Sequence, residues 1–104
     1  MNDITVEELK TKIEQSEDFV FIDVREPHEY EEFNLGAWLI PLGSLMSHMM
    51  ELEPHRDDEI VIHCRSGARS GAAKEALAQL GFTKVRNLLG GVLDWQEKFP
   101  PSNS

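Results

Sequence analysis

Glu59-Ile60-Val61-Ile62-His63-Cys64-Arg65-Ser66-Gly67-Ala68-Arg69-Ser70 is the stretch on which the reading of this chain turns. Ile60, Val61 and Ile62 make a short β-branched apolar run, which predicts a buried strand, and Ala72-Ala73-Lys74-Glu75-Ala76-Leu77-Ala78-Gln79-Leu80 behind it predicts a helix. The loop between them carries the only cysteine of the chain and two arginines. A strand-loop-helix junction aims backbone N–H groups, and the positive end of the helix dipole, into the loop. Such a loop is built to hold an anion. Cys64 at its mouth gains from those donors and from the charges of Arg65 and Arg69, which lower a thiol below its free pKa of about 8.5. A thiolate, unlike a thiol, is a nucleophile.

Taken alone, a cysteine at a strand end reads equally as a small buried apolar residue. Its neighbours argue for chemistry. Arg65 and Arg69 flank Gly67, and guanidinium groups crowded at a helix start oppose its dipole unless an anion regularly sits among them.

Four segments, in order, resemble the rhodanese family over nearly the whole chain. Cys64-Arg65-Ser66-Gly67-Ala68-Arg69-Ser70 is similar to the family's active-site loop, and Ile22-Asp23-Val24-Arg25-Glu26 with Glu29-Tyr30 to its first signature. Gly36-Ala37 with Ile40-Pro41 is similar to its second, and Leu89-Gly90-Gly91 with Trp95 to its last. The resemblance implies that Cys64 is the sulfur-accepting nucleophile, in a six-residue loop running to Arg69. It implies further that the backbone N–H groups of Arg65, Ser66, Gly67, Ala68 and Arg69 cradle the persulfide. One departure is visible: the family commonly has Gly-His-Ile before its Gly-Ala, whereas Phe33-Asn34-Leu35 stands here. That bears on the wall near Trp38, not on Cys64.

The chain has 104 residues, enough for one compact domain and too few for two; the expectation is a domain over 1–99 and a frayed tail over 100–104. An apolar fraction of 40% is consistent with a core. The formal net charge of −9 repels nucleic acid and anionic membrane surfaces, so neither is expected as a partner. Met1-Asn2-Asp3-Ile4-Thr5-Val6-Glu7-Glu8 lacks a cationic start followed by an apolar run, and no stretch is apolar enough to span a bilayer. A cytoplasmic monomer is expected. One cysteine excludes an intramolecular disulfide and suits a reducing compartment, so the second sulfur partner comes from another molecule.

Around the central stretch, strands and helices alternate. Thr5 with Glu8 forms a capping-box pattern ahead of Val6, Leu9 and Ile13, which predicts an amphipathic helix over Thr5 to Gln15. Phe19-Val20-Phe21-Ile22 predicts a strand buried on both faces, and Pro27 opens a helix to about Glu32. Asp23 and Arg25 at that strand's end read either as a local ion pair or as supports for the arginine loop, since strand ends in open α/β sheets face the ligand crevice. Leu39-Ile40-Pro41-Leu42 is a short extended piece. Leu45, Met46, Met49 and Leu52 form an apolar stripe, chiefly core filling, although Met46, Met49, Met50 and Trp38 are also open to a role in acceptor docking. A helix from about Ser70 to Leu80 stops at Gly81, Val85 to Leu89 reads as a strand, and Gly90-Gly91 leads into a last helix with Val92, Trp95 and Phe99. The fold class is α/β: an open, largely parallel sheet with helices on both faces, as the resemblance to rhodanese also implies.

Metal and nucleotide chemistry find no support. His63 neighbours Cys64 along a strand, where successive side chains face opposite ways, and His28, His48 and His55 lack ligand spacing and fall on predicted surfaces. No phosphate-binding glycine motif occurs, so no cofactor is expected. The preferred reading is a sulfurtransferase. In it the Cys64 thiolate takes the sulfane sulfur of thiosulfate or of a persulfide, and cyanide, a small thiol or a protein thiol removes it. Two alternatives stay open: a sulfur carrier or redox relay without turnover, and a cysteine phosphatase or arsenate reductase. The resemblance of the latter enzymes calls for five residues between cysteine and arginine, and here Arg69 follows after four, with Ser70 at the position they use.

Overall fold

The computed structural model describes residues 1–100, so the expected tail lies, from residue 101 onward, outside the described residues. The element order is α1 (Val6–Glu14), β1 (Val20–Asp23), α2 (Pro27–Glu32), β2 (Trp38–Leu39), α3 (Met49–Leu52), β3 (Ile60–His63), α4 (Ala68–Gln79), β4 (Val85–Asn87) and α5 (Gly91–Lys98). The four strands form one sheet in the order β2-β1-β3-β4, and every pair is parallel. Ile22 sits opposite Ile62, and Ile62 opposite Asn87, so all strands point their C-terminal ends the same way.

The sheet splits the core in two, because successive side chains of a strand face opposite sides. Ile22, Ile60 and Ile62 pack with Ala73 and Leu77 of α4 and with Leu45 and Leu52. On the other face, Val61 and Leu88 meet Val6 and Leu9 of α1, with Phe21, Trp95 and Phe99 packed against them. Every residue of β3 is buried, which is why its sequence reads as a continuous apolar run.

Four expectations are corrected in detail. In α1 the buried stripe runs Val6, Leu9, Lys12, so Lys12 lies against the protein while Ile13 is 40% exposed. Lys12 buries its stem and sends its ammonium to Glu17 and Glu59, both at 2.8 Å. The capping box of α1 forms by half: Glu8 N–H donates to Thr5 Oγ1 at 3.1 Å, but the Glu8 carboxylate pairs with Arg86. The stripe around the methionines also breaks up. Two 3₁₀ turns and the four-residue α3 replace one helix, leaving Leu45 and Leu52 buried, Met49 half-buried, and Met46 and Met50 in solvent, Met50 at 90% exposure. Finally α4 begins at Ala68 rather than Ser70, so Arg69 and Ser70 belong to its first turn.

Candidate active site

With β3 ending at His63 and α4 starting at Ala68, the connection consists of Cys64 to Gly67 alone. Two glycines permit so tight a loop. Gly67 turns the chain into α4 at φ +108°, a left-handed conformation that other residues adopt only with strain. Gly91, the first residue of α5, lies where a Cβ would stand 2.5 Å from the Arg65 carbonyl and 2.6 Å from that of Cys64. Its bareness lets α5 approach end-on. Val92 N–H then donates to the Cys64 carbonyl and Leu93 N–H to the Arg65 carbonyl, both at 3.0 Å. With these carbonyls held by α5, the amides further along the loop are free to face the sulfur.

They converge on it. Cys64 Sγ accepts from Gly67 N–H at 3.1 Å, from Ser70 N–H at 3.4 Å and from the Ser70 hydroxyl at 3.3 Å. The residue is 1% exposed, and burial by itself pushes the thiol up. The Ser70 hydroxyl, with the N–H groups of Ser70, Gly67 and Ser66, more than offsets burial, so the thiol lies below its ordinary value. The sulfur is thus both enclosed in the apolar cluster beneath α4 and surrounded by donors. The cradle expected from Arg65 to Arg69 concerns the outer sulfur of a persulfide; the contacts to Cys64 Sγ itself centre on Gly67, within that run, and on Ser70 beyond it, while Arg65, Ser66 and Ala68 are exposed.

The two arginines have different fates. Arg69 is gripped by Glu29 of α2 through two parallel bonds, Nη1 to Oε1 at 2.7 Å and Nη2 to Oε2 at 2.8 Å. Arg69 holds the Glu29 carboxyl down at about 2 and is itself raised by it. No arginine donates to Sγ among the described residues, where the donors are amides and a hydroxyl, and Arg69 bears on the sulfur through its charge alone. Arg65 stays exposed and lines a groove of about 390 Å³ between α2 and α5, with His28, Glu32, Phe33, Val92 and Leu93 on its walls. A larger depression, about 600 Å³, lies at the opposite ends of the strands against Phe19, Val20 and Glu59. Cys64 lines neither depression; the smaller one adjoins its loop through Arg65 and through Val92 and Leu93, which hold the loop carbonyls.

Asp23 and Arg25 form a buried fork. Arg25 Nε donates to Asp23 Oδ1 at 3.0 Å and Nη2 to Oδ2 at 2.8 Å, while Nη2 also reaches the Phe33 carbonyl at 2.7 Å and Nη1 that of Glu29 at 3.4 Å. The pair thereby fixes α2, and α2 carries Glu29 to Arg69. Removing one partner of such a buried pair costs about 3–5 kcal/mol. His63 faces Asp23, with Nε2 3.6 Å from Oδ2, on the sheet face away from the apolar cluster that encloses Cys64. Neither ring nitrogen has a hydrogen-bond partner among the described residues, and burial drives the imidazole pKa down, which keeps the ring neutral. The substituted Phe33-Asn34-Leu35 segment makes a turn of its own: Gly36 N–H donates to Asn34 Oδ1 and the Asn34 amide to the Tyr30 carbonyl. Trp38 beyond it stays exposed, edge-on to His48.

Sequence reasoning did not single out Ser70 as a sulfur ligand, and it missed Asn87, which joins Ser70 to the Gly67 carbonyl. The available signal was Asn87 itself. Asparagine is disfavoured inside strands, and this one stands at the C-terminal end of a parallel strand, where crevices form.

The model of the rhodanese-like domain matches residues 5–98 of the chain. A sulfurtransferase of Allochromatium vinosum is 36% identical over 96 residues, which cover 91% of this chain and 88% of that protein. YrkF of Bacillus subtilis strain 168, a candidate sulfur carrier by name, is 39% identical over 97 residues, covering 92% of this chain; the chain spans 51% of that protein's length. Among solved structures, a rhodanese-like domain protein from Staphylococcus aureus superposes with a TM-score of 0.81 at 29% identity, covering 91% of each chain.

Proposed function

The chain belongs to the rhodanese-like domain family, and from that premise we propose that it moves sulfane sulfur through a persulfide on Cys64. The relatives support a coarser statement directly, a rhodanese-type sulfurtransferase or sulfur carrier. The observation that carries the finer reading is the convergence of two amides and one hydroxyl on a single buried sulfur. In the first half-reaction the Cys64 thiolate attacks the outer sulfur of thiosulfate or of a persulfide. Its S–S bond breaks, and sulfite or a thiolate leaves with the bonding electrons. In the second, cyanide or an acceptor thiolate attacks the outer sulfur of the Cys64 persulfide and the Cys64 thiolate departs. The donors that lower the thiol pKa serve both steps: they raise the thiolate fraction for attack and make Cys64 a better leaving group afterwards. Among the described residues no helix is long and apolar enough to cross a membrane, and we place this exchange in the cytoplasm, by a monomer, without metal or cofactor.

The test is mass spectrometry after incubation with thiosulfate or a small-molecule persulfide. A gain of one sulfur on Cys64 is expected, with thiocyanate formed on adding cyanide and both lost in Cys64→Ser. No gain from any donor overturns the proposal.

The grip of Glu29 on Arg69 favours a carrier as the second reading. A thiosulfate dianion arriving beside Cys64 meets one exposed guanidinium, Arg65, in a groove that Glu29 and Glu32 also line. A protein persulfide brings less charge to that groove. Faster sulfur loading from a protein persulfide than from thiosulfate would mark a carrier. The same pairing, with Ser70 in the helix turn behind the sulfur, argues against phosphatase or arsenate reductase chemistry, and no turnover of an aryl phosphate is expected.

A further inference from the structure

Asn87, the last residue of β4, reaches into the back of the sulfur loop. Its Nδ2 donates to the Gly67 carbonyl at 3.1 Å, and that contact fixes which way the amide faces, since a carbonyl accepts only from the NH₂ end. Oδ1 is thereby turned toward Ser70, whose hydroxyl donates to it at 2.5 Å. The same hydroxyl lies 3.3 Å from Cys64 Sγ. A serine hydroxyl has one hydrogen, and two acceptors face it here in a fully buried position.

We propose that Asn87 is a positioning residue for the sulfur chemistry: its Oδ1 competes with Cys64 Sγ for the single hydroxyl hydrogen of Ser70, and so limits how strongly the loop holds the anionic sulfur. The inference rests on Cys64 as the nucleophile of the proposed reaction. While the sulfur keeps its proton, S–H donates to Ser70 Oγ and the hydroxyl hydrogen stays on Asn87. When that proton passes to water, or when Cys64 departs as a thiolate from its persulfide, the hydroxyl swings to the sulfur and Asn87 Oδ1 loses its donor. The amide oxygen therefore opposes ionisation, while the Gly67 and Ser70 N–H groups favour it. The charged and titratable groups around the loop and Asn87 are Arg65, Arg69 with Glu29 from α2, Asp23 with Arg25, His63 from β3, Asp94 from α5, and Asp3, which accepts from the Asn87 N–H and pairs with Lys74 of α4. All are common to the variants compared below.

The experiment is the rate of Cys64 alkylation by iodoacetamide against pH in wild type, Ser70→Ala, Asn87→Ala and the double variant. Below the wild-type midpoint, Ser70→Ala should lower the thiolate fraction by about tenfold, the size of one hydrogen bond to a charged group. Asn87→Ala should raise it by about threefold. The double variant should match Ser70→Ala, because Asn87 acts only through that hydroxyl. An Asn87→Ala midpoint above wild type, or a double variant unlike Ser70→Ala, overturns the proposal and leaves Asn87 as a prop for Gly67. In the wild type, the side-chain amide resonances of Asn87 should titrate with the Cys64 midpoint; flat resonances overturn the proposal even where Asn87→Ala does not fold. Alkylation involves no sulfur donor, so a failure of sulfur loading counts against the proposed function alone.

Discussion

The two ends of β3 treat an acidic group in opposite ways. Before the strand stands Glu59, held by cations: Lys12 Nζ at 2.8 Å and Arg86 Nη1 at 2.9 Å. After it stands Cys64, whose sulfur is held by neutral dipoles. Burial opposes ionisation of both, and in both the partners prevail, so both acids lie below their ordinary values. The consequences differ. Full charges on long side chains from α1 and β4 tie Glu59 to its neighbours, and its ionisation serves the fold. Amide dipoles stabilise the sulfur without forming an ion pair with it, so it remains able to attack.

The sharpest way to break this contrast is Gly91→Ala. The new methyl group would drive α5 off the Cys64 and Arg65 carbonyls, and the misplaced amides should cost sulfur loading about 100-fold, read by mass spectrometry. Retained loading would show that the clamp is unnecessary. Next in size is the pH profile of Cys64 alkylation in the wild type. A lowered acid keeps its thiolate as pH falls until the folded pKa is reached, so below pH of about 8.5 the protein should hold a larger thiolate fraction than a model thiol. The same sign holds for stability: the contribution is present above the ordinary thiol pKa and is lost as pH falls through the folded one.

Smaller in its effect on chemistry is Glu59→Gln. It should lower stability by about 1–3 kcal/mol in denaturant melts, with Lys12 and Arg86 left without their shared partner, and should leave sulfur loading within roughly twofold. A large loss of loading would mean that the two ends are coupled through the strand. Smallest is Met50→Lys. At 90% exposure it should change stability by less than about 0.5 kcal/mol, and a marked slowing of sulfur transfer to a protein acceptor would instead assign that surface to docking.

The strand and loop at the centre were legible because each carries its own local signal. β3 is an unbroken apolar run, Pro27 opens α2, and a glycine-containing connection with two arginines announces an anion. What escaped was set by tertiary contact. Nothing local distinguishes Lys12 from Ile13 as the buried residue of α1, because Glu59, which anchors Lys12, is far away in sequence. The methionine segment has helical spacing, yet its apolar residues are divided between core and solvent. Arg69 read as part of an anion clamp from its position in the loop. Its partner Glu29 lies on a different helix, and only the fold reveals that the charge is already taken. The link from Ser70 to Asn87 exists only once β4 lies beside β3, and its one local trace was an asparagine at the end of a strand.

The end-on seating of α5 also has a consequence in time. Val92 and Leu93, which fasten the loop, are translated long after the cysteine they serve. A nascent chain halted before Gly91 carries the nucleophile without its fastening, and its thiol should behave as any other. The cysteine's environment is thus complete only after α5 has been made and seated on the loop.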